Sequence, residues 1–301
     1  MKTAIAVLLL ALLHGSSPYW RHEAMPPAIE LTWTPPQPIQ GSIVHLTVRP
    51  DTLDPGPDVV AIKGVMARQA LHFEPDGNGG FRALAGIPVN ANDSIRLELT
   101  FVNRTGSSER SVRYLPVERG EFTTIQLSVD PRFVDPPDSA LRVRIAAERD
   151  SVRRVTRLSH ATPRMWSESF TLPRDSRLTS PFGQRREFNG EVRSLHLGTD
   201  LAGQVGAPVA ATNRAVVALV GDFYYAGGLV YLDHGQGLMT AYLHLSDTFV
   251  AVGDTVERGE IIGSVGASGR VTGPHLHWTA RYGDVPVSPL SLLDLETFSP
   301  Y

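Results

Sequence analysis

Between about residues 26 and 132, apolar and polar positions alternate. Ile95, Leu97, Leu99 and Phe101 interleave with Arg96, Glu98 and Thr100. Val44, Leu46 and Val48 interleave with His45 and Thr47, and Ile125, Leu127 and Val129 repeat the pattern. Side chains on a strand face opposite sides in turn, so these runs predict half-buried strands. Turn-forming residues separate them, as in Pro75-Asp-Gly-Asn-Gly-Gly80 and Asn103-Arg-Thr-Gly106. Several short strands in about 105 residues fit a β-sandwich of immunoglobulin-like size. No catalytic constellation falls within 26–132, so an accessory domain is expected there, for binding, spacing or covering.

The pattern then changes period. A proline-rich break runs from Pro131 to Pro137. Asp138 or Ser139 offers an N-cap, and Leu141, Ile145, Val152 and Val155 follow at helical spacing. A helical linker is expected over 138–160. Its arginines, among them Arg142, Arg144, Arg149, Arg153, Arg154 and Arg157, read as a solvated face paired with Glu148 and Asp150. From Leu178 the chain returns to β, with strands expected at Val216–Val220, Leu229–Asp233, Leu238–His244, Ile261–Val265 and His275–Tyr282. Val252–Val256 and Gly259–Gly263 read as a tight hairpin-like unit. An acceptor lysine for a swinging-arm carrier is missing from this half, since lysine occurs only at Lys2 and Lys63.

Composition narrows the chemistry. The chain has 301 residues, of which 42% are hydrophobic and 20% charged. That is ordinary for a globular protein of two domains. A formal net charge of -3 implies neither nucleic acid nor an anionic membrane surface as partner. The absence of cysteine excludes disulfides, thiolate ligands and a cysteine nucleophile. Lys2, the apolar run Ala4–Leu13 and the small residues of His14-Gly-Ser-Ser17 read as an export signal over 1–17. The run is shorter than the roughly 20 residues a membrane span needs. The mature chain is therefore expected outside the cytoplasm, periplasmic or extracellular, without a membrane span. Nothing in the sequence sets an oligomeric state.

Histidine is concentrated in three short motifs: His196-Leu-Gly-Thr-Asp200, Tyr242-Leu-His244-Leu-Ser246 and Gly273-Pro-His275-Leu-His277-Trp278. His and Asp are ligand types that a borderline metal such as zinc accepts. On a strand, His275 and His277 share a face while Leu276, Trp278, Ala280 and Tyr282 point to a core. His196 and Asp200 would also share a face on a strand, and Gly198 argues against a helix there. Beside His277, His275 stands in reach of any bound metal's surroundings.

These motifs, with Ser180-Pro-Phe-Gly-Gln-Arg185, Gly206-Ala-Pro-Val-x-Ala211 and Gly253-Asp-Thr-Val-x-x-Gly259, occur in an order that resembles the M23 peptidases, the lysostaphin or LytM type of zinc endopeptidase. The resemblance covers 178–293. It implies a C-terminal β-rich LytM-type peptidase domain, which with the N-terminal sandwich and helical linker read from the pattern makes the expected chain all-β. It implies one zinc ion held by His196, Asp200 and His277, with His244 and His275 as the catalytic pair. The implied substrates are peptide cross-links or stem peptides of bacterial peptidoglycan. The alternative it carries is a non-catalytic LytM-type regulator that binds or activates another wall hydrolase. Thr279 departs from the acidic residue that many members have at this place, and Tyr224–Leu229 departs from the usual loop. His234, in a turn, reads as structural.

Overall fold

The alternating first third builds two antiparallel sheets. Their strands are β1 (Ile29–Thr34), β2 (Ile43–Pro50), β3 (Val59–Met66), β4 (Gln69–His72), β5 (Glu74–Pro75), β6 (Phe81–Gly86), β7 (Ser94–Asn103) and β8 (Ser108–Pro116). One sheet has the order β1-β2-β6-β5 and the other β4-β3-β7-β8. Val44, Leu46 and Val48 from the first share a core with Leu97, Leu99 and Phe101 from the second. The structure, a computed structural model, describes residues 29–50, 59–190 and 192–295. The expected export signal lies outside them. Among the described residues no helix is long and apolar enough to cross a membrane.

Two positions depart from simple alternation, both because the two halves of the chain are packed together. His45, expected on the wet side of β2, is buried. It lines a cavity with Phe182 and Leu290 from the second half, so β2 has no solvent face at this point. The run Ile125–Val129 does not belong to the sandwich. Its strand β9 (Thr124–Leu127) leaves the first domain and pairs in parallel with β11 (Arg185–Phe188) of the second.

The Asp138 side chain caps α1 (Ser139–Leu158) by accepting a hydrogen bond from the Leu141 amide. The helix is more than a tether. Val152 and Val155 pack on Leu229, Tyr231, Met239 and Ala241 of the main sheet. The named arginines point to water, with Arg144 on Glu148 and Arg153 on Asp150. The exposed Arg153–Asp150 pair contributes little to stability, whereas Glu148 is largely buried and also accepts from the Tyr224 amide.

The second half contains β10 (Leu178–Ser180), β11, β12 (Val192–Leu195), β13 (Thr199–Ala202), β14 (Pro208–Ala210), β15 (Ala215–Phe223), β16 (Gly227–Gly235), β17 (Leu238–Thr248), β18 (Thr255–Val256), β19 (Ile261–Val265), β20 (His275–Tyr282) and β21 (Val285–Val287). The main sheet runs β10-β13-β20-β17-β16-β15-β18, with β19 and β21 joined at β17 and β20 and β14 on β19. Both faces of its middle are dry. Val230, Leu232, Tyr242, Leu276, Trp278 and Ala280 face the large core shared with the sandwich. Leu229, Tyr231, Met239 and Ala241 face α1. The hairpin-like unit at 252–263 is not a hairpin, because β18 pairs with β15 while β19 pairs with β14 and β17.

The domains are bonded as well as packed. The Tyr282 hydroxyl donates to the Ala70 carbonyl at 2.9 Å and the Ser288 amide to the Gly41 carbonyl at 2.6 Å. His72 and His160 meet through ring nitrogens 2.9 Å apart.

Candidate metal centre

Three neighbouring strands assemble the site. In the β13–β20 ladder Asp200 stands opposite His277, and in the β17–β20 ladder His277 stands opposite Leu243, next to His244. His275 and His277 share a face of β20, as their spacing predicts. His196 and Asp200 do not share a strand: β12 ends at Leu195 and β13 begins at Thr199. The chain bends between them at Gly198, where a Cβ would come within 2.6 Å of the His277 ring and 2.7 Å of the Trp278 carbonyl oxygen. A side chain there would push His277 out of place. The glycine therefore permits the approach that a strand spacing was expected to provide.

His196, Asp200 and His277 converge on one point. His196 Nε2 lies 2.9 Å from Asp200 Oδ1 and 2.9 Å from His277 Nδ1, and His277 Nδ1 lies 2.7 Å from Asp200 Oδ1. Two nitrogens and a carboxylate oxygen so arranged, within 4.8 Å of one another, can hold a metal ion. The tautomer of His196 supports this. Its Nδ1 lies 2.8 Å from the Pro181 carbonyl, which can only accept, so the proton sits on Nδ1 and Nε2 offers a lone pair. Burial pushes His277 down to about 4, so its imidazole is neutral near pH 7. Burial alone would raise the Asp200 carboxyl. The His196 and His277 rings beside Oδ1 outweigh it and hold the group well below the usual carboxylate range.

Arg186 holds the other oxygen of Asp200: its Nη2 is 2.6 Å from Oδ2 and 2.8 Å from Ser180 Oγ. That bond turns Oδ1 toward the two histidines. Sequence reasoning passed over Arg186, one place beyond the quoted motif. Arg185, inside that motif, points to solvent. The alternation of β11 was the available signal: side chains at 186 and 188 share a face, and Phe188 is buried. Thr279, the departing position, is buried beside the site and leaves support of the carboxylate to Arg186.

His275 and His244 complete the group. His275 Nε2 lies 3.6 Å from Asp200 Oδ1, and the ring centroids of His244 and His275 are 5.0 Å apart. Both rings give Nδ1–H to a main-chain carbonyl at 2.8 Å, Ser268 for His244 and Gly273 for His275, so each leaves Nε2 free for chemistry. Burial pushes His244 well below the ordinary imidazole value, and the neighbouring His277 and His275 lower it further. His244 owes its aim to a bulge. The β16–β17 register slips between Leu229↔Leu243 and Gly228↔Leu245, and His244 takes a left-handed φ of 64°. Such strain in a non-glycine residue concentrates at functional sites. His234 is elsewhere, buried between the Arg214 carbonyl and Thr240 Oγ1, as its structural reading expects.

The five residues stand beside a cleft of about 500 Å³, which Asp200 and His275 help to line. One wall comes from the first half of the chain, through Ile125 and Leu127 of β9.

A β fold that gathers two histidines and an aspartate around one point, with two more histidines offering bare nitrogens, is the frame of a metallopeptidase domain. Residues 194–289 match Peptidase family M23, and the chain carries a domain of that family. The DD-carboxypeptidase/endopeptidase Mpg of Neisseria meningitidis is 42% identical over 117 residues, covering 39% of this chain and 27% of that protein. The peptidoglycan DD-endopeptidase ShyA of Vibrio cholerae is 42% identical over 115 residues, covering 38% and 27%. This chain thus matches about a quarter of the length of these curated relatives. A crystal structure of a candidate M23 peptidase from Pseudomonas aeruginosa superposes with a TM-score of 0.64 at 25% identity, covering 85% of this chain and 95% of that one.

Proposed function

We propose that the protein is an exported zinc metalloendopeptidase, periplasmic or extracellular, that hydrolyses peptide cross-links or stem peptides of bacterial peptidoglycan. The observation that carries this reading is the convergence of His196 Nε2, His277 Nδ1 and Asp200 Oδ1 on one point, beside two histidines with free Nε2 atoms. Two imidazoles and one carboxylate suit zinc, and three protein ligands leave room for water, as in catalytic zinc sites. Bound there, zinc would supply an activated water near neutral pH and a Lewis acid for the scissile carbonyl.

The chain's own residues do the rest. Arg186 fixes the carboxylate so that one oxygen faces the metal position. His244 and His275, each locked by its Nδ1 hydrogen bond, hold Nε2 where a proton can be accepted from water and returned to the leaving amine. The cleft walls exclude bulk solvent and orient the peptide. The relatives named for peptidoglycan bonds support the substrate class. A regulator without catalysis could lose ligands freely, yet all five side chains are present and gathered here. The sandwich, whose strand order 1-2-6-5 against 4-3-7-8 suits an immunoglobulin-like domain, acts as an accessory that braces the cleft through β9.

The test is digestion of intact sacculi of several cross-link types by the zinc-loaded protein, with fragments identified by mass spectrometry. Cross-links opened by wild type and left intact by His275→Ala are expected. A zinc-bound wild type that releases nothing from any wall would refute the peptidase reading and favour the regulator.

A further inference from the structure

Arg270 is set in the cleft without a counter-ion among the described residues. Its guanidinium carbon lies 4.2 Å from the Phe188 ring centroid and 4.7 Å from that of Tyr225, between two aromatic faces. The Arg270 amide is tied to the Tyr225 carbonyl at 2.9 Å. The side chain is only half exposed and has no carboxylate partner among the described residues. Among the described residues Asp200 is the single acid that lines this cleft, and it is already engaged by Arg186 and by the histidines. Arg177, at the same cleft, adds a second cation without an acidic partner among the described residues.

A guanidinium used only for packing would gain from a nearby acid or from full hydration. Here it has neither in full. Two rings hold the guanidinium group in place, so less rotamer freedom remains to be lost when a ligand arrives. The two rings flank the guanidinium carbon, and a planar carboxylate can accept two parallel hydrogen bonds from its N–H groups. Arg270 lines the same cleft as His275, so a group bound to it lies beside the reacting peptide.

We propose that Arg270 is a carboxylate anchor that makes one free carboxyl group of the peptide substrate a requirement for tight recognition. The proposal rests on the peptidase reading for its substrate. It deepens that reading by predicting that amidation of this carboxyl marks a wall peptide as a poor substrate. Arg270 touches substrate as a specificity residue and takes no part in bond cleavage.

The experiment uses a soluble cross-linked dimer of stem peptides and a set of derivatives, each with one free carboxyl converted to the amide. Full-length zinc-loaded wild type, Arg270→Gln and Arg270→Lys are compared by kcat/KM, and by calorimetric affinity for the same peptides. In wild type, one amidation is expected to cost about 10- to 100-fold, the range for a lost charge-assisted hydrogen bond. Arg270→Gln should cut the all-acid peptide at the level of that amide and treat the amide as wild type does. Arg270→Lys should keep part of the preference. Equal use of all peptides by wild type would overturn the proposal. So would discrimination surviving in Arg270→Gln, or an equal fall on acid and amide, which would assign Arg270 to packing alone. Should wild type cut none of the peptides, the peptidase reading fails by itself. The affinities then decide the anchor by the same criteria.

Discussion

The face of the main sheet that carries His277 has two ends of opposite character. Along β17 and β20, Met239 stands opposite Arg281, Ala241 opposite Thr279 and Leu243 opposite His277. At the Met239 end α1 lies across the face, and Leu229, Tyr231, Met239 and Ala241 form a buried cluster beneath it. At the His277 end no helix among the described residues covers the face, and the side chains are polar, crowded and partly strained. The two strands are the same and so is their alternation; only the cover differs. Burial holds the covered end together. The open end is held by directional bonds, Arg186 to Asp200 and His196, His244 and His275 each to a main-chain carbonyl. Stability and chemistry are thus separable along one sheet, and substitutions should sort by position.

The largest effect is expected at the open end. His277→Ala removes a proposed ligand, so zinc content by mass spectrometry of the metal and peptidase activity should fall together to background. His275→Ala should retain zinc and lose about 10²- to 10⁴-fold in kcat/KM, the range for a proton-transfer group. Neither change should lower the unfolding free energy of the metal-free protein as a core deletion does. Near-wild-type turnover by His275→Ala would break the assignment of its role.

The covered end should answer in the opposite way. Met239→Ala leaves a cavity under α1 and is expected to cost about 2–5 kcal/mol in chemical denaturation. Its zinc content and its kcat/KM per folded molecule should stay close to wild type. A large loss of activity in the folded fraction would show that the two ends are coupled through β17, and the comparison would fail.

How far the sequence reveals this division depends on whether a contact is local. β20 runs over His275–Tyr282 as the alternation predicts, because every second side chain there meets the same core. Spacing and resemblance singled out His196, Asp200, His244, His275 and His277, and the structure brings these five together. Other features were hidden. The turn at Gly198 replaces a strand because the crowding that demands it comes from His277, far along the chain. β9 joins the second domain through a parallel partner about 60 residues away, and nothing in Thr124–Leu127 records that choice. The bulge at His244 is invisible to alternation, since Leu243 and Leu245 flank it as they would in a regular strand.

Arg186 allows a finer test of the open end. Arg186→Gln removes the charge that fixes Asp200 Oδ2 while keeping a hydrogen-bonding side chain. Loss of such a partner to a ligand typically costs 10- to 100-fold in metal affinity. Competition with a zinc chelator should show a shift of about that size, with activity restored when zinc is raised. An unchanged affinity would mean that His196 and His277 alone orient the carboxylate.

The smallest effect concerns the backbone of His244. A left-handed conformation costs an L-residue roughly 1–2 kcal/mol, and glycine avoids the cost. Both His244→Gly and His244→Ala remove the imidazole and its bond to Ser268, so both should be inactive. They differ only in the Cβ at φ 64°. Denaturation of the two metal-free variants should find His244→Gly more stable by about 1 kcal/mol, the reverse of their order in an ordinary strand, where glycine is the weaker residue. That sign would identify the strain as a property of the position, held in place by β16 and Ser268 and independent of the imidazole it aims. Alanine equal to or above glycine would mean that the bulge relaxes once the ring is gone, and that the histidine itself maintains the bend.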